Sequence, residues 1–331
     1  MKSYILYNNF RTLGGAQQCS VNLAIRLLNK ENEIIALTTT PLNKIHSDYK
    51  KYNITFKRFS FINLLKIKKD DLVFCNDRLL TSLFVAFSFF TFRKSNSFYI
   101  ARNTYNSGKL LSFFPKKIVA VSSGVKENLI SYFQINPYRI SVINDGIDDC
   151  FPEYKRERGK DRDIKILFVA NINKIKRQVE VVNALKDKIN HNIKIDFAGD
   201  GPLKQSLIKV IGDSKQFKFL GYINVFELLP DYDYVCLFSK NEGLGVSLIE
   251  GCMFYKPLIT NNIKPVLEVN KPGFNGFVAN DFNELANVLN NLPDRNSDEY
   301  KRLSVNARKV YENYFTSDIM LKKYHSLIKN L

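Results

Sequence analysis

The sequence predicts two parallel α/β units in series, and three observations carry that reading. Short β-branched or aromatic runs alternate with longer amphipathic runs along the chain, the pattern of strands joined by crossover helices. A charged stretch almost free of apolar residues, PEYKRERGKDRD at 152–163, interrupts the alternation near its middle. The length of 331 residues suits two domains of about 150 residues better than one.

In the first half the expected strands are 4–7, 33–38, 54–59, 72–75, 98–101, 118–121 and 140–143. Between the first two lies an amphipathic pattern at 16–28, with Val21, Ala24, Ile25 and Leu28 on one face, which predicts a helix. The run LLTSLFVAFSFFTF at 79–92, flanked by Arg78 and Arg93, falls short of the roughly 20 residues that span a bilayer. It reads as a helix buried on most sides. Beyond the linker come strands at 165–170, 194–198, 234–238 and 257–260, with helices at 178–189, 202–211 and 246–254. The tail at 319–331 is amphipathic, with Thr316 or Ser317 as its N-cap. The expected domains are residues 1–150, a linker at 151–163, residues 164–314, and a C-terminal helix at 315–331. Two α/β units joined by a solvated linker imply a cleft between them, where such folds bind ligands.

Composition narrows the class. Cys19, Cys75, Cys150, Cys236 and Cys252 are odd in number and form no C-x-x-C, which favours thiols in a reducing compartment over a disulfide framework or zinc site. The opening residues lack the apolar core of a signal peptide. The expected location is therefore cytoplasmic, at the inner face of a membrane. Net charge is +17, and residues 1–150 carry 21 Lys and Arg against 10 Asp and Glu. That excess suggests an anionic partner on the first half: phospholipid, a lipid pyrophosphate or nucleic acid. Compositional drift in a Lys-rich chain is the competing explanation. No helix-turn-helix, zinc or RNP-like pattern supports nucleic acid, so no nucleic-acid partner is expected.

The chemistry concentrates at Asn241-Glu242-Gly243-Leu244-Gly245-Val246-Ser247-Leu248-Ile249-Glu250. A strand ends at 238, a glycine-containing turn follows, and an apolar helix begins near Val246. Unpaired N–H groups at such a helix start suit a phosphate, and the glycines let the backbone approach it. Glu242 in the turn and Glu250 two turns on can accept hydrogen bonds from sugar or ribose hydroxyls. The bland alternative makes Glu242 a turn cap and Glu250 a solvated helix residue.

This segment resembles the E-x7-E signature of retaining glycosyltransferases of family 4, which have the GT-B fold. Five further stretches match in order: Gly14-Gly15-Ala16-Gln17, Val142 to Asp148, Ile166 to Ala170 with Lys176, Gly199-Asp200-Gly201-Pro202, and Phe219-Leu220-Gly221-Tyr222. The resemblance implies two Rossmann-like domains facing a central cleft, with the C-terminal helix crossing back to the first domain as a hinge for closure. It implies that Glu250 binds ribose hydroxyls and Glu242 the donor sugar. It implies that backbone N–H groups of Gly243, Leu244, Gly245 and Val246 hold the diphosphate with Lys176, and that Gly14 and Gly15 close against it. Asn171, Gly199 and Asp200 complete the implied donor set. No aspartate cluster typical of a divalent-ion site is visible, so no metal and no cofactor is expected; the nucleotide sugar is a co-substrate.

Several positions depart from the family pattern. Asn171 stands where an Arg is usual, Lys264-Pro265 where Gly-Gly is usual, and Gln17 where Glu is common. A first-domain His is missing, with Asn76-Asp77 in its place. Arg102 and Asn103 could supply polar contacts instead, Arg102 in catalysis and Asn76 and Asn103 toward the acceptor; pairing of Arg102 with a carboxylate is the alternative. Lys109, Lys116 and Lys117, interleaved with Leu110, Leu111, Phe113 and Phe114, could lie at a membrane surface or form a core-facing helix with a basic edge. The resulting expectation is a retaining hexosyltransferase, its donor a UDP-hexose with GDP-sugars open. Its acceptor would be a glycan or lipid-linked glycan of surface polysaccharide, capsule or lipopolysaccharide, with peripheral contact to an anionic membrane through the basic first half. The alternative is a catalytically silent GT-B subunit that binds a glycan or another transferase.

Overall fold

The computed structural model describes residues 2–12, 14–27, 33–154 and 163–329. Positions 155–162 of the expected linker, and Leu28 and 330–331 of two expected helices, lie outside the described residues. The chain forms two compact units, Met1–Asp145 with Asp318–Leu331, and Gly146–Ser317.

The first unit is built on strands β1 (Ser3–Leu6), β2 (Ile34–Thr38), β3 (Ile54–Arg58), β4 (Leu72–Cys75), β5 (Asn96–Ala101), β6 (Lys117–Ala120) and β7 (Ile140–Val142). They form one parallel sheet in the order β3-β2-β1-β4-β5-β6-β7. β1 pairs with β2 through Tyr4 opposite Ile35 and with β4 through Ile5 opposite Phe74. Both faces of these central strands are covered, so they read as continuous apolar runs rather than alternating ones. The connecting helices are α1 (Gly15–Leu27), α2 (Phe61–Leu64), α3 (Arg78–Phe90) and α4 (Ser123–Ser131). Asp77 caps α3 by accepting from the Leu80 N–H at 2.9 Å.

One expectation fails at α3. It was predicted to be buried on most sides, yet only Leu80, Thr81, Ser82 and Phe84 are buried. Leu79, Leu83, Phe89 and Phe90 are exposed. The cause is topological: a crossover helix between β4 and β5 has the sheet on one side only, and nothing in this unit covers its other side. Thr81 and Ser82 are among the residues turned inward, their hydroxyls donating to the Asp77 and Arg78 carbonyls, so polarity along α3 does not show which face is covered.

The second unit opens with α5 (Phe151–Tyr154) and has strands β8 (Ile164–Val169), β9 (Ile193–Ala198), β10 (Phe217–Gly221), β11 (Tyr234–Leu237), β12 (Leu258–Asn261) and β13 (Gly276–Ala279). These form a second parallel sheet, ordered β10-β9-β8-β11-β12-β13. Its helices are α6 (Gln178–Leu185), α7 (Lys204–Ile211), α8 (Val225–Leu228), α9 (Val246–Met253), α10 (Phe282–Asn290) and α11 (Asp298–Tyr314). α11 packs on α9 and fixes its far end: Arg308 donates to the Met253 carbonyl at 2.8 Å and pairs with Asp149 and Glu312. A cation at the C-terminus of α9 also complements that helix's dipole.

The last helix, α12 (Ser317–Lys329), belongs mostly to the first unit. Where the chain leaves the second unit, Ile147 donates to Phe315 O at 3.0 Å and accepts from Ser317 N at 3.0 Å. The Ser317 hydroxyl bonds the Asp148 carboxylate. None of the five cysteines is in a disulfide, and Cys75, Cys236 and Cys252 are buried.

Candidate active site

Strand order reverses between β8 and β11, and the loops leaving adjacent strands there diverge, so side chains from both can meet in the crevice. Lys176 stands on the loop after β8 and Glu242 on the loop after β11. Their side chains form an ion pair, with Glu242 buried and Lys176 partly so. The Ser239 hydroxyl donates to the same Glu242 oxygen at 2.7 Å. Asn261, at the end of β12, accepts from Ser239 N at 3.2 Å and donates to Ser239 O at 2.7 Å. Three adjacent strand ends thus hold one carboxylate. Ser239 and Asn261 escaped the sequence reading, since a serine just after a strand and an asparagine at the end of the next carry no motif.

The Lys176 loop is tied by its own amides. Asn173 Oδ1 accepts from the backbone of Ile175 at 2.9 Å and of Lys176 at 3.0 Å. Its Nδ2 donates to Asn171 Oδ1 at 2.9 Å. Asn171, which the family resemblance put in the donor set, is exposed and serves the loop here. Arg177 stacks over Phe282 at 4.3 Å and bonds Glu180 at 3.0 Å.

Gly199 ends β9 with φ 142°, and a Cβ there would lie 2.1 Å from the Ala170 carbonyl oxygen. Its role is close passage of two strand ends. Asp200 bonds its own loop at Gly201 N, 2.9 Å, and is otherwise largely exposed.

The start of α9 is open. Gly245 takes φ 87°, a left-handed turn that a side chain would strain. The backbone N–H groups of Gly243, Leu244, Gly245, Val246 and Ser247 make no hydrogen bond to the protein among the described residues. They form a cluster of polarised donors of the kind that receives an anion. Two turns on, the half-buried Glu250 carboxyl has neither a hydrogen bond nor an ion pair among the described residues, and burial pushes its pKa up to about 7.

The first unit's reversal, between β1 and β4, is of another kind. Arg102 leaves β5 and is 8% exposed. Its guanidinium bonds Asp145 at 3.1 and 3.0 Å, Ser20 at 3.1 Å, and Asn76. Burial opposes that charge, but Asp145, Tyr324 and Cys19 together outweigh it and hold the pKa above the ordinary range. Asn76 is as fully committed: Oδ1 accepts from Arg102 and Ser20, and Nδ2 donates to Phe74 O at 3.1 Å. Arg102 thus pairs with a carboxylate, the alternative weighed for it, and both it and Asn76 direct their polar atoms into this hub. Asn103 is exposed beside it. Gly14 and Gly15 sit at the start of α1, where the Gly14 carbonyl accepts from Gln18 N at 3.0 Å.

Residues 151–310 match the family described as glycosyl transferases group 1. The chain is 28% identical over 294 residues to CapH of Staphylococcus aureus, a capsular polysaccharide biosynthesis glycosyltransferase; the match covers 78% of this chain and 81% of CapH. It is 26% identical over 222 residues to WbnH of Escherichia coli, an O-antigen biosynthesis glycosyltransferase, covering 63% of each. Among solved structures, Anabaena HepE in complex with UDP superposes with TM-score 0.84 at 16% identity over the full length of both chains. The lipopolysaccharide outer core galactosyltransferase WaaB does so with TM-score 0.73, also at 16% identity and full coverage. The two parallel-sheet domains have the GT-B fold, and the second of them carries the match to the group 1 family description.

Proposed function

We propose that the chain is a retaining, metal-independent hexosyltransferase. It takes a UDP-sugar donor and passes the hexose to a glycan or lipid-linked glycan in surface polysaccharide assembly. The observation that carries this reading is the convergence at β8 and β11 of the Lys176–Glu242 pair, an open helix start and the unpaired Glu250. The printed roles of CapH and WbnH support the pathway class, and HepE complexes with UDP and with UDP-glucose support the donor class.

In this proposal the diphosphate lies on the N–H groups of Gly243, Leu244, Gly245 and Val246, the ribose hydroxyls on Glu250, and the sugar hydroxyls on Glu242. The acceptor oxygen bonds the anomeric carbon on the face from which the carbon–phosphate oxygen bond breaks. The electron pair leaves on the diphosphate, and the acceptor proton passes to a diphosphate oxygen. Negative charge grows there, where Lys176 and fixed backbone donors need little reorganisation to meet it. Glu242 would hold Lys176 in place until the donor arrives.

The test is release of nucleotide from a panel of UDP- and GDP-sugars, with and without a chelator. Chelator-resistant release from a UDP-sugar, lost in Glu242→Ala and Glu250→Ala, is expected. Release that a chelator abolishes would remove metal independence. Failure to bind any donor would favour a silent GT-B subunit.

A further inference from the structure

The outward face of α3 carries Leu79, Leu83, Phe87 and Phe90, spaced four, four and three residues apart, so they form one stripe along the helix. At its C-terminal end Phe89 is 75%, Phe90 77% and Phe92 92% exposed. α2 extends the patch: the Phe61 ring meets Phe87 edge-on at 4.9 Å, with Ile62 exposed beside it. Arg93 clamps the two helices by donating to Leu65 O at 2.7 Å and Ile67 O at 3.3 Å. At the other end, Arg78 bonds the carbonyls of Ser107 and Gly108, which sets the exposed Leu110 and Leu111 beside the start of α3.

Lone exposed apolar residues are ordinary; a patch of eight across α2, α3 and the residues just after them (Phe61, Ile62, Leu65, Leu79, Leu83, Phe89, Phe90 and Phe92) is not. Its rim is cationic, with Lys66, Lys68, Lys69, Arg93 and Lys94 exposed at the aromatic end. Residues 57–117 contain twelve Lys and Arg but three Asp. Of the three, Asp71 is buried and accepts from two backbone amides, and Asp77 caps α3. A two-fold contact with a second copy would bring the two cationic rims together. An anionic bilayer surface complements both the apolar stripe and its rim. No described helix is long and apolar enough to cross a membrane, so the contact is one of lying on the surface.

The geometry points to α2 and α3 as a membrane-docking face that seats Phe61, Phe89, Phe90 and Phe92 at the headgroup–acyl boundary of an anionic leaflet. This reading stands apart from the transfer reaction and survives if that proposal fails. Each engaged cation should add roughly fivefold to partitioning at low salt.

The experiment is flotation of the full chain with vesicles of phosphatidylglycerol and phosphatidylcholine in equal parts, and with phosphatidylcholine alone. Binding to the anionic vesicles at least tenfold above the neutral ones is expected. Phe89→Ser with Phe90→Ser and Phe92→Ser should cut it at least tenfold with melting temperature unchanged, since these rings are exposed in the folded protein. Lys66→Glu with Lys94→Glu should remove the anionic preference. Absence of binding, or binding that the triple variant leaves intact, overturns the proposal. So does a concentration-dependent dimer of the parent chain, measured by light scattering, that the triple variant abolishes.

Discussion

Each sheet reverses its strand order once, and the two reversals use polar groups in opposite ways. Between β1 and β4, Arg102, Asp145, Asn76 and Ser20 satisfy one another in a buried hub. Between β8 and β11, the Glu242 carboxylate is held through one oxygen by Lys176 and Ser239, while Glu250 and five backbone amides find no partner among the described residues. Satisfied groups make a support, because each would lose its partners by turning to a ligand. Unsatisfied groups carry a standing desolvation cost that a ligand of the right polarity relieves. The same topology thus yields a brace in one unit and a receptive site in the other.

That contrast predicts where substitutions strike. Asp145→Ala leaves the Arg102 charge buried and unpaired, a loss of about 3–5 kcal/mol. Thermal unfolding should shift down by roughly 10 °C, while UDP affinity of the folded protein, measured by titration, stays the same. A fall in affinity at constant melting temperature would break the comparison. Lys176→Ala should lower turnover by roughly 10²–10³, with a smaller fall in melting temperature than Asp145→Ala, because Lys176 is partly exposed and Ser239 still bonds Glu242.

Glu250 gives the next effect, read against pH. Hydroxyl donors favour its carboxylate, and burial has raised the pKa to about 7. UDP affinity should therefore rise about tenfold from about pH 6 to about pH 8, in step with the ionised fraction. Glu250→Gln should flatten that rise relative to the parent. Without ligand the sign is opposite. Folding favours the protonated acid, so stability declines as pH climbs from its ordinary 4.5 toward about 7. Smallest of all, Ser239→Ala removes one neutral donor from Glu242 and should lower turnover only a few-fold, on the order of 1 kcal/mol. A larger loss would mean that Ser239 does more than orient the carboxylate.

What the sequence discloses follows from how local each cause is. β4 falls at Leu72–Cys75 and α9 starts at Val246, because apolar runs and a Gly-x-Gly turn lie within a few residues of each other. Glu242 and Glu250 stand eight residues apart, and their placement needs only one turn and one helix. The task of Arg102 depends on Asp145, 43 residues away, so its sequence surroundings cannot separate a buried pair from a substrate contact. Ser239 and Asn261 meet because β11 and β12 are neighbours, a fact of strand order rather than of spacing. The facing of α3 is hidden for a different reason: Thr81 and Ser82 turn inward with their hydroxyls satisfied by carbonyls one turn back, so its small polar residues do not mark the solvent side.

The lone carboxyl on α9 also makes donor docking a calorimetric event of a particular kind. Near neutral pH about half of the free molecules hold a proton on Glu250, and a bound ribose would expel it. The heat of titration should then vary with the ionisation enthalpy of the buffer, by about half a proton per nucleotide. Each departing nucleotide would let the proton return, so every catalytic cycle would draw from and restore the surrounding buffer without any net change in acidity at this residue.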